Sequence, residues 1–314
     1  MEAKGFREWL ERVPLLGSQQ REQLFAVLHP TVELDRVCST IEQARPALSC
    51  PHCGAERHHR HGFDRGIQRY RCCTCRKTFS ALTGTPLARL RHRDKWLAYS
   101  DKLLEGLSVR AAADAVGVHR NTSFRWRHRF LQLAKHDRPD ELVGIVEADE
   151  MFLLESQKGS RTLDRPARKR GGVARWRGIN RDHVCVLVAR DRTGGTFDFV
   201  TGRGAVTAAQ LQRHLLPVLA PDALLVTDGH PAYRAFSRAA GIAHEFVNLR
   251  AGERVRGAIH VQNVNSYHQR FRQWLARFHG VASRYLPNYL GWQWAVDGRR
   301  IDTPERLLRA ALGA

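Results

Sequence analysis

Apolar positions along this chain follow two rhythms, and the change from one to the other near residue 140 divides it. Before that point the spacing is helical. "RDKWLAYSDKLLEGL" repeats apolar residues every three or four positions. "SVRAAADAVGVHRNTSFRW" follows, with Ser108 placed to cap a short helix, Ala112 and Ala115 small enough for close packing, Gly117 at a tight turn and Asn121 opening a second helix. Two short helices around such a turn predict a helix-turn-helix within residues 90–137. "KHDRPDEL", a polar stretch containing Pro139, reads as a linker. Strands then take over. "LVGIVEADEMFLL" is a buried strand interrupted by acids, and "HVCVLVARD" with "TFDFVTGRG" forms a hairpin around Thr193–Gly195. "TAAQLQRHLLPVL" is an amphipathic helix, "ALLVTDGHPAYRAF" runs from strand into helix, and "AHEFVNL" is a strand leading to the helix of "HVQNVNSYHQRFRQW".

Three strands, helix, strand, helix, strand, helix is the order of a ribonuclease H-like α/β domain, expected over residues 141–300, with a short C-terminal helix in 301–314. Residues 1–45 read as helical pieces without an assigned role. Between them and the helix-turn-helix, residues 46–85 contain five of the seven cysteines. Cys50 and Cys53 in "CPHCG" and Cys72 and Cys75 in "YRCCTCRKTFS" form two Cys-x-x-Cys knuckles, which together offer the four thiolates of a structural Zn²⁺ site. Tyr70 and Phe79 in short strand-like pieces complete the expectation of a zinc ribbon. Cys73 points away from its neighbour, His52, His58, His59 and His61 are alternatives to one thiolate, and Cys38 and Cys185 read as apolar fillers.

Charge changes the picture next. With 51 Lys and Arg against 31 Asp and Glu the chain carries +20, so a polyanion is the expected partner and nucleic acid the first candidate. Arg120, Arg125, Arg127 and Arg129 make the second helix of the helix-turn-helix basic enough to meet DNA. Residues 158–182 hold nine Lys or Arg, Arg168, Lys169 and Arg170 among them, against two Asp, and read as a mobile arm that orders on phosphate. Trp292 and Trp294 could stack on an unpaired base, although most aromatics of that segment are expected in the core. No apolar run reaches a bilayer-spanning length and the N-terminus lacks a signal-peptide core, so a cytoplasmic protein with no membrane partner is expected.

The acids then point to chemistry. Asp149 lies inside a strand that is apolar on both sides, and Asp228 ends another just before Gly229. Oxygen ligands from two strands suit Mg²⁺ or Mn²⁺, and two such ions serve phosphoryl transfer. Glu147 shares a strand face with Asp149 and is a candidate auxiliary ligand, whereas Glu150 points the other way.

The segments "CPHCG", "YRCCTCRKTFSALTGTPL", "VEADEMF", "TDGHPAYR" and "HVQNVNSYHQRFRQWLARFHGVASRYLPNYLGW" together resemble the bacterial and archaeal insertion-sequence transposases with an N-terminal zinc ribbon and a C-terminal DDE-type domain, the family numbered fifteen-ninety-five. The resemblance covers roughly residues 50–297. It implies a first catalytic Asp at Asp149 and a second at Asp228. The third position, usually a Glu followed seven residues later by Lys, matches Asn265 and Arg272. Positions 265, 268 and 272 share one helical face, so His268 competes with Asn265 as third metal ligand. The resemblance further implies binding of double-stranded DNA at terminal inverted repeats, metal-dependent strand cleavage and transfer, and a homodimer or larger synaptic complex. The rival reading is a non-catalytic DNA-binding protein derived from a transposase, which the missing third acid favours.

Overall fold

The computed structural model describes residues 3–45, 49–134, 138–169, 172–248 and 251–313. The chain forms two compact units: residues 1–105, 112–130 and 303–314 make the first, and residues 106–111 and 131–302 the second.

The first unit begins with α1 (Ala3–Arg12) and α2 (Ser18–Ala44). The buried residues of α2, Val37, Cys38, Thr40 and Ile41, all lie near its C-terminal end. Cys38 is the apolar filler its surroundings demand, packed so close to the Arg65–Gly66 turn that a Cβ on Gly66 would sit 2.8 Å from its Sγ. The turn joins β1 (His58–Asp64) to β2 (Ile67–Cys72), and β3 (Thr78–Ser80) completes an antiparallel three-stranded sheet in the order β1-β2-β3. Tyr70 and Phe79 stack 5.7 Å apart on this sheet and the His58 ring stands edge-on to both. Arg93 ties the hairpin down: its guanidinium donates to the Asp64 and Arg65 carbonyls and to the Asp64 carboxylate at 2.6–3.1 Å.

Three helices follow, α3 (Trp96–Leu104), α4 (Val109–Val116) and α5 (Arg120–Ala134). Tyr99 of α3 meets Trp126 and Phe130 of α5 edge-on, and its hydroxyl donates to the Ser123 carbonyl at 2.5 Å. The turn between α4 and α5 places Gly117 at φ +64°, where the Val118 amide returns to the Ala113 carbonyl. The small residues packed inside are Ala112 and Ala113. Ala115, expected there from spacing, is exposed, because the buried face of α4 is one residue out of phase with that choice. The C-terminal helix, here α10 (Pro304–Leu312), packs on α2 and α3 through Leu307, Leu308, Ala311 and Leu312.

The second unit is built on β4 (Ile145–Leu154), β5 (His183–Asp191), β6 (Thr196–Arg203), β7 (Leu224–Thr227) and β8 (Ala243–Phe246) in the order β6-β5-β4-β7-β8. The first three strands are antiparallel, and β7 and β8 run parallel to β4. That order defines a ribonuclease H-like sheet. Strand alternation splits β4 into two faces. Val146 and Ala148 join Leu187 and Ala189 in a core with Leu211 and Leu215 near α6 (Ala208–His214), and Tyr233 and Phe236 of α7 (Pro231–Ala240). The opposite face meets α8 (Gln262–Ala276), while α9 (Leu286–Asp297) lies against β6. The amphipathic pattern over 207–219 yields a helix only to His214, since Pro217 cannot donate to it and a 3₁₀ turn covers 216–218. A hairpin of two-residue strands, β9 (Val255–Arg256) and β10 (Ile259–His260), leads into α8. Trp292 and Trp294 are buried with Trp274, Phe278 and Tyr289, as core aromatics.

Candidate functional site

Parallel pairing of β4 with β7 sets Ile145 beside Leu224, Val146 beside Leu225 and Glu147 beside Val226. Continued for two residues, this register brings Asp149 level with Asp228 as β7 ends. The turn that carries Asp228 needs glycine next: Gly229 has φ +83°, and a Cβ there would meet the Phe246 ring at 2.8 Å. The His230 amide donates to Asp228 Oδ1 at 3.1 Å, fixing the side chain as α7 begins. Asp149 Oδ1 accepts from the Glu150 amide at 2.8 Å. Burial, then the negative charges of Glu150 and Asp228, push the Asp149 carboxyl up to about 7, against the partial pull of Arg272. Three acids and one guanidinium therefore lie within electrostatic reach of one another.

The helix over Asp149 is held in place by Glu147, which is fully buried. Its Oε2 accepts the amides of Asn263 and Val264 at 2.7 and 3.0 Å, and its Oε1 accepts Asn263 Nδ2 at 2.8 Å. These are orphan donors of the first turn of α8, so a strand carboxylate caps the helix from outside. Arg192 at 2.8 Å and His260 at 3.3 Å complete its surroundings. Glu147 is therefore not the auxiliary metal ligand that its shared face with Asp149 suggested, because both of its oxygens are already engaged.

From this anchor α8 runs on so that His268 Nδ1 stands 3.8 Å from Asp149 Oδ2. His268 is buried and its Nε2 has no hydrogen-bond partner among the described residues. Burial, reinforced by Arg272, lowers its pKa to about 4, which leaves a neutral imidazole with a lone pair to give. Arg272 lies one turn beyond, exposed, and acts on both Asp149 and His268. Asn265 is exposed on the preceding turn. The structure thus brings Asp149, Asp228, His268 and Arg272 together, with Asn265 exposed one turn before His268 on the helical face that also carries Arg272.

Glu150 carries more than the sequence alone conveyed. It does face away from Asp149, toward Tyr233 of α7, yet burial raises it to about 7, with the Tyr233 hydroxyl opposing and the Asp228 charge adding to the rise. An acid directly beside Asp149, in a strand that is otherwise apolar apart from Glu147, was the available signal.

The cysteine knuckles converge as their spacing requires. The Sγ atoms of Cys50, Cys53, Cys72 and Cys75 all lie within 4.8 Å of one another, with the pairs Cys50–Cys75 and Cys53–Cys72 at 3.6 Å. A tetrahedral shell with Zn–S bonds of about 2.3 Å sets its sulfurs about 3.8 Å apart, so the four thiols fit that ion. The Cys75 amide donates to Cys72 Sγ at 3.5 Å and is the leading reason that its thiol falls to about 6. Cys73 stays outside the cluster beside His59, and His58 Nδ1 is engaged by the Glu56 carbonyl.

Of the residues chosen for DNA contact, Arg120, Arg125 and Lys169 are exposed. Arg127 is fully buried, because it shares the inward stripe of Ser123, Trp126 and Phe130, and is not available to a phosphate. Arg170 lies outside the described residues. Arg168 belongs to the internal framework of its loop, not to a mobile arm: buried Glu155 gathers Arg165, Arg168 and Arg203, and Arg168 also pairs with Asp182 at 2.8 Å. On the same loop Asn180 Nδ2 donates to the Trp176 and Gly178 carbonyls while the Trp176 ring is 70% exposed. No helix among the described residues is long and apolar enough to cross a membrane.

Comparison with known proteins agrees with this picture. Residues 141–293 match the family model of the ISXO2-like transposase domain, and residues 90–139 match a homeodomain-like domain. An uncharacterized protein in transposable element ISH50 of Halobacterium salinarum is 32% identical over 249 residues, 78% of this chain and 84% of that protein. Among solved structures, a chain of a simian T-cell lymphotropic virus intasome in complex with PP2A regulatory subunit B56 gamma is 11% identical, covering 63% of this chain and 67% of that one with a TM-score of 0.30. A chain of a pre-cleavage Mos1 transpososome is 14% identical, covering 69% and 78% with a TM-score of 0.27. The fold assignment rests on the strand order, not on these scores.

Proposed function

This chain belongs to the ISXO2-like transposase family, and from that premise we propose that it is the transposase of an insertion sequence, which binds the element's terminal inverted repeats, cuts DNA there and joins the freed 3′ ends to target DNA. The observation that carries the catalytic part is the pairing of Asp149 with Asp228 at the centre of the sheet, roofed by neutral His268 and by Arg272. Carboxylates of which one rises to about 7, first through burial and then through its neighbours' charge, fit a divalent cation, which would offset both. Mg²⁺ or Mn²⁺ bound there supplies activation of the attacking oxygen and stabilisation of the leaving one.

In this reading Asp149 and Asp228 hold the cations. The third position passes from Asn265, implied by resemblance, toward His268, whose unpartnered nitrogen and contact with Asp149 support it. Arg272 holds the phosphate beside the cut, and its charge keeps Asp149 more readily ionised. Zn²⁺ on the four cysteines is structural. The ribbon and helix-turn-helix recognise double-stranded ends, with Arg120 and Arg125 of α5 and Lys169 of the 155–182 loop on phosphates. Two ends must be joined together, so the working form holds two or more copies. The rival, a DNA-binding protein that no longer cuts, draws on the lack of any Asp or Glu on α8.

The test is nicking of a labelled duplex carrying the gene's own flanking DNA with Mn²⁺ or Mg²⁺. The parent cuts, Asp149→Ala loses at least about a thousandfold in rate, and His268→Ala falls further than Asn265→Ala. The reverse order for the last two returns the third ligand to Asn265. A parent that binds this DNA and never cuts with either ion leaves only the binding protein.

A further inference from the structure

The N-terminal helices display large apolar side chains that the described part of the chain does not cover. None of the described side chains of α1 or of the turn at Val13–Leu15 is buried, and burial in α2 begins only at Val37. Phe6, Trp9 and Leu10 make one stripe on α1, and Phe25, Leu28 and Val32 recur at i, i+3 and i+7 on α2. Phe25 is 64% exposed and Leu15 82%. A ten-residue helix such as α1 is marginal in water without packing on its apolar face, so this arm needs an occupant.

Charge decides which one. Residues 3–44 hold six acids and five bases, whereas the whole chain carries +20. A nucleic acid or an anionic membrane surface would find no positive field here. Two copies of a strongly basic chain repel each other over most of their surfaces, and a near-neutral apolar arm is where they can approach. The charges at its rim are largely satisfied within the chain, Arg21 on the Leu16 and Pro14 carbonyls and Arg36 on Glu33 and Glu305, so a second arm meets an apolar stripe with little net charge around it.

We propose that residues 3–36 form a self-association surface, the arm of one copy packing its apolar stripe against the same arm of a second. This deepens the reading that two DNA ends are held by paired chains and rests on it for its purpose, but the association itself is measurable without DNA or cleavage.

The experiment is sedimentation velocity of the full zinc-loaded chain up to about 50 µM, comparing the parent with Phe25→Glu/Leu28→Glu and Phe6→Glu/Trp9→Glu. Zinc content and binding of a single-end duplex serve as controls for folding, since all four positions are exposed. The expected result is a parent dimer whose dissociation constant rises at least about tenfold in each charge variant, with zinc and single-end binding retained. If a charge variant loses zinc, Phe25→Gln/Leu28→Gln replaces it and the same weakening is expected. A parent that stays monomeric, or a dimer unmoved by the variants that keep their zinc, overturns the proposal. Failure to cut DNA would not, because it bears on the cleft alone.

Discussion

The cysteine cluster and the acidic cleft both gather metal-type donors, but they come to them from opposite directions. The cluster takes all four donors from two tight turns within residues 50–75, and its backbone favours the anionic form at Cys72, where the Cys75 amide lowers the thiol to about 6, while burial and the neighbouring thiols outweigh the backbone at Cys53 and raise it to about 11. The cleft takes Asp149 from mid-strand, Asp228 from the end of a strand and His268 from a late helix. There the environment works against the anions, with Asp149 and Glu150 both raised to about 7, chiefly by burial. On the proposed zinc site, a small sheet with little core of its own would lean on an ion to hold its shape. A five-stranded sheet with a full core can instead support a crowded, electrostatically uncomfortable site and keep it ready for cations.

Zinc removal tests the first half of that contrast and should have the largest effect. A structural zinc contributes on the order of 10 kcal/mol of apparent binding free energy at neutral pH, so a strong chelator, or Cys72→Ser, should unfold residues 50–80. DNA-end affinity should fall at least about a hundredfold, while unfolding of the second unit followed by urea is unchanged. Colorimetric zinc release measured beside DNA binding checks this; full binding with the zinc gone would show that the ribbon stands on its small core.

Glu147→Ala strikes the scaffold of the cleft instead. It strips Arg192 and the first turn of α8 of a fully buried carboxylate, and removing one partner of such a pair costs roughly 3 kcal/mol. Urea unfolding of the second unit should report that loss, with Glu147→Gln recovering part of it because an amide oxygen still accepts from the helix amides. An alanine variant as stable as the parent would mean that α8 is held by Tyr267, Phe271 and Trp274 alone.

The contrast also governs how much of each region is legible in the sequence. Metal knuckles are local, so spacing alone placed four ligands. The sheet was legible because Val, Ile and Leu runs interrupted by Asp149 and ended by Asp228 already mark strand centre and strand end. Other features depended on packing. The role of Glu147 requires knowing that α8 crosses β4. Arg127 looked like a DNA contact because arginine is usually exposed, but the phase of α5 turns it inward with Trp126. The arm at 158–182 looked mobile from its charge, yet Glu155, the residue just after β4, pairs with two of its arginines, Arg165 and Arg168, and with Arg203 at the end of β6. Strands as short as β9 and β10 have no periodicity to detect.

A smaller effect follows from the raised carboxyl of Asp149. Its folded pKa of about 7 exceeds the ordinary 3.8, so without metal the folded state holds its proton more tightly than the unfolded chain. That contribution is fully present below pH 3.8, shrinks as pH rises and is lost above about 7. Asp149→Asn removes the ionisation, so at pH 8 the metal-free variant should be more stable than the parent by roughly 1–3 kcal/mol. Near pH 4 the two should converge. Melting curves at the two pH values decide it, and an equal difference at both would place the variant's effect in packing instead of charge.

A local effect, confined to one kind of DNA, separates the cleft from its DNA grip. Trp176 stands out from a loop whose backbone is fixed by Asn180, between Arg175 and Arg177 in sequence, while Trp292 and Trp294, the aromatics that the sequence offered for stacking, are core residues. An exposed indole on such a turn costs little entropy to place against a base, because the turn beneath it is already made. Stacking of one base on such a ring contributes about 1–3 kcal/mol, so Trp176→Ala should weaken binding of a duplex with a single-stranded end by roughly five- to a hundredfold. Fully paired duplex should be bound nearly as before, and neither the zinc content nor the stability of the second unit should move. Fluorescence of 2-aminopurine placed along the unpaired end would rise on binding to the variant where the parent quenches it. Equal losses for paired and unpaired DNA would instead make Trp176 a general prop for the arginines beside it, and the loop would belong with the phosphate contacts, not with the chemistry of the cut.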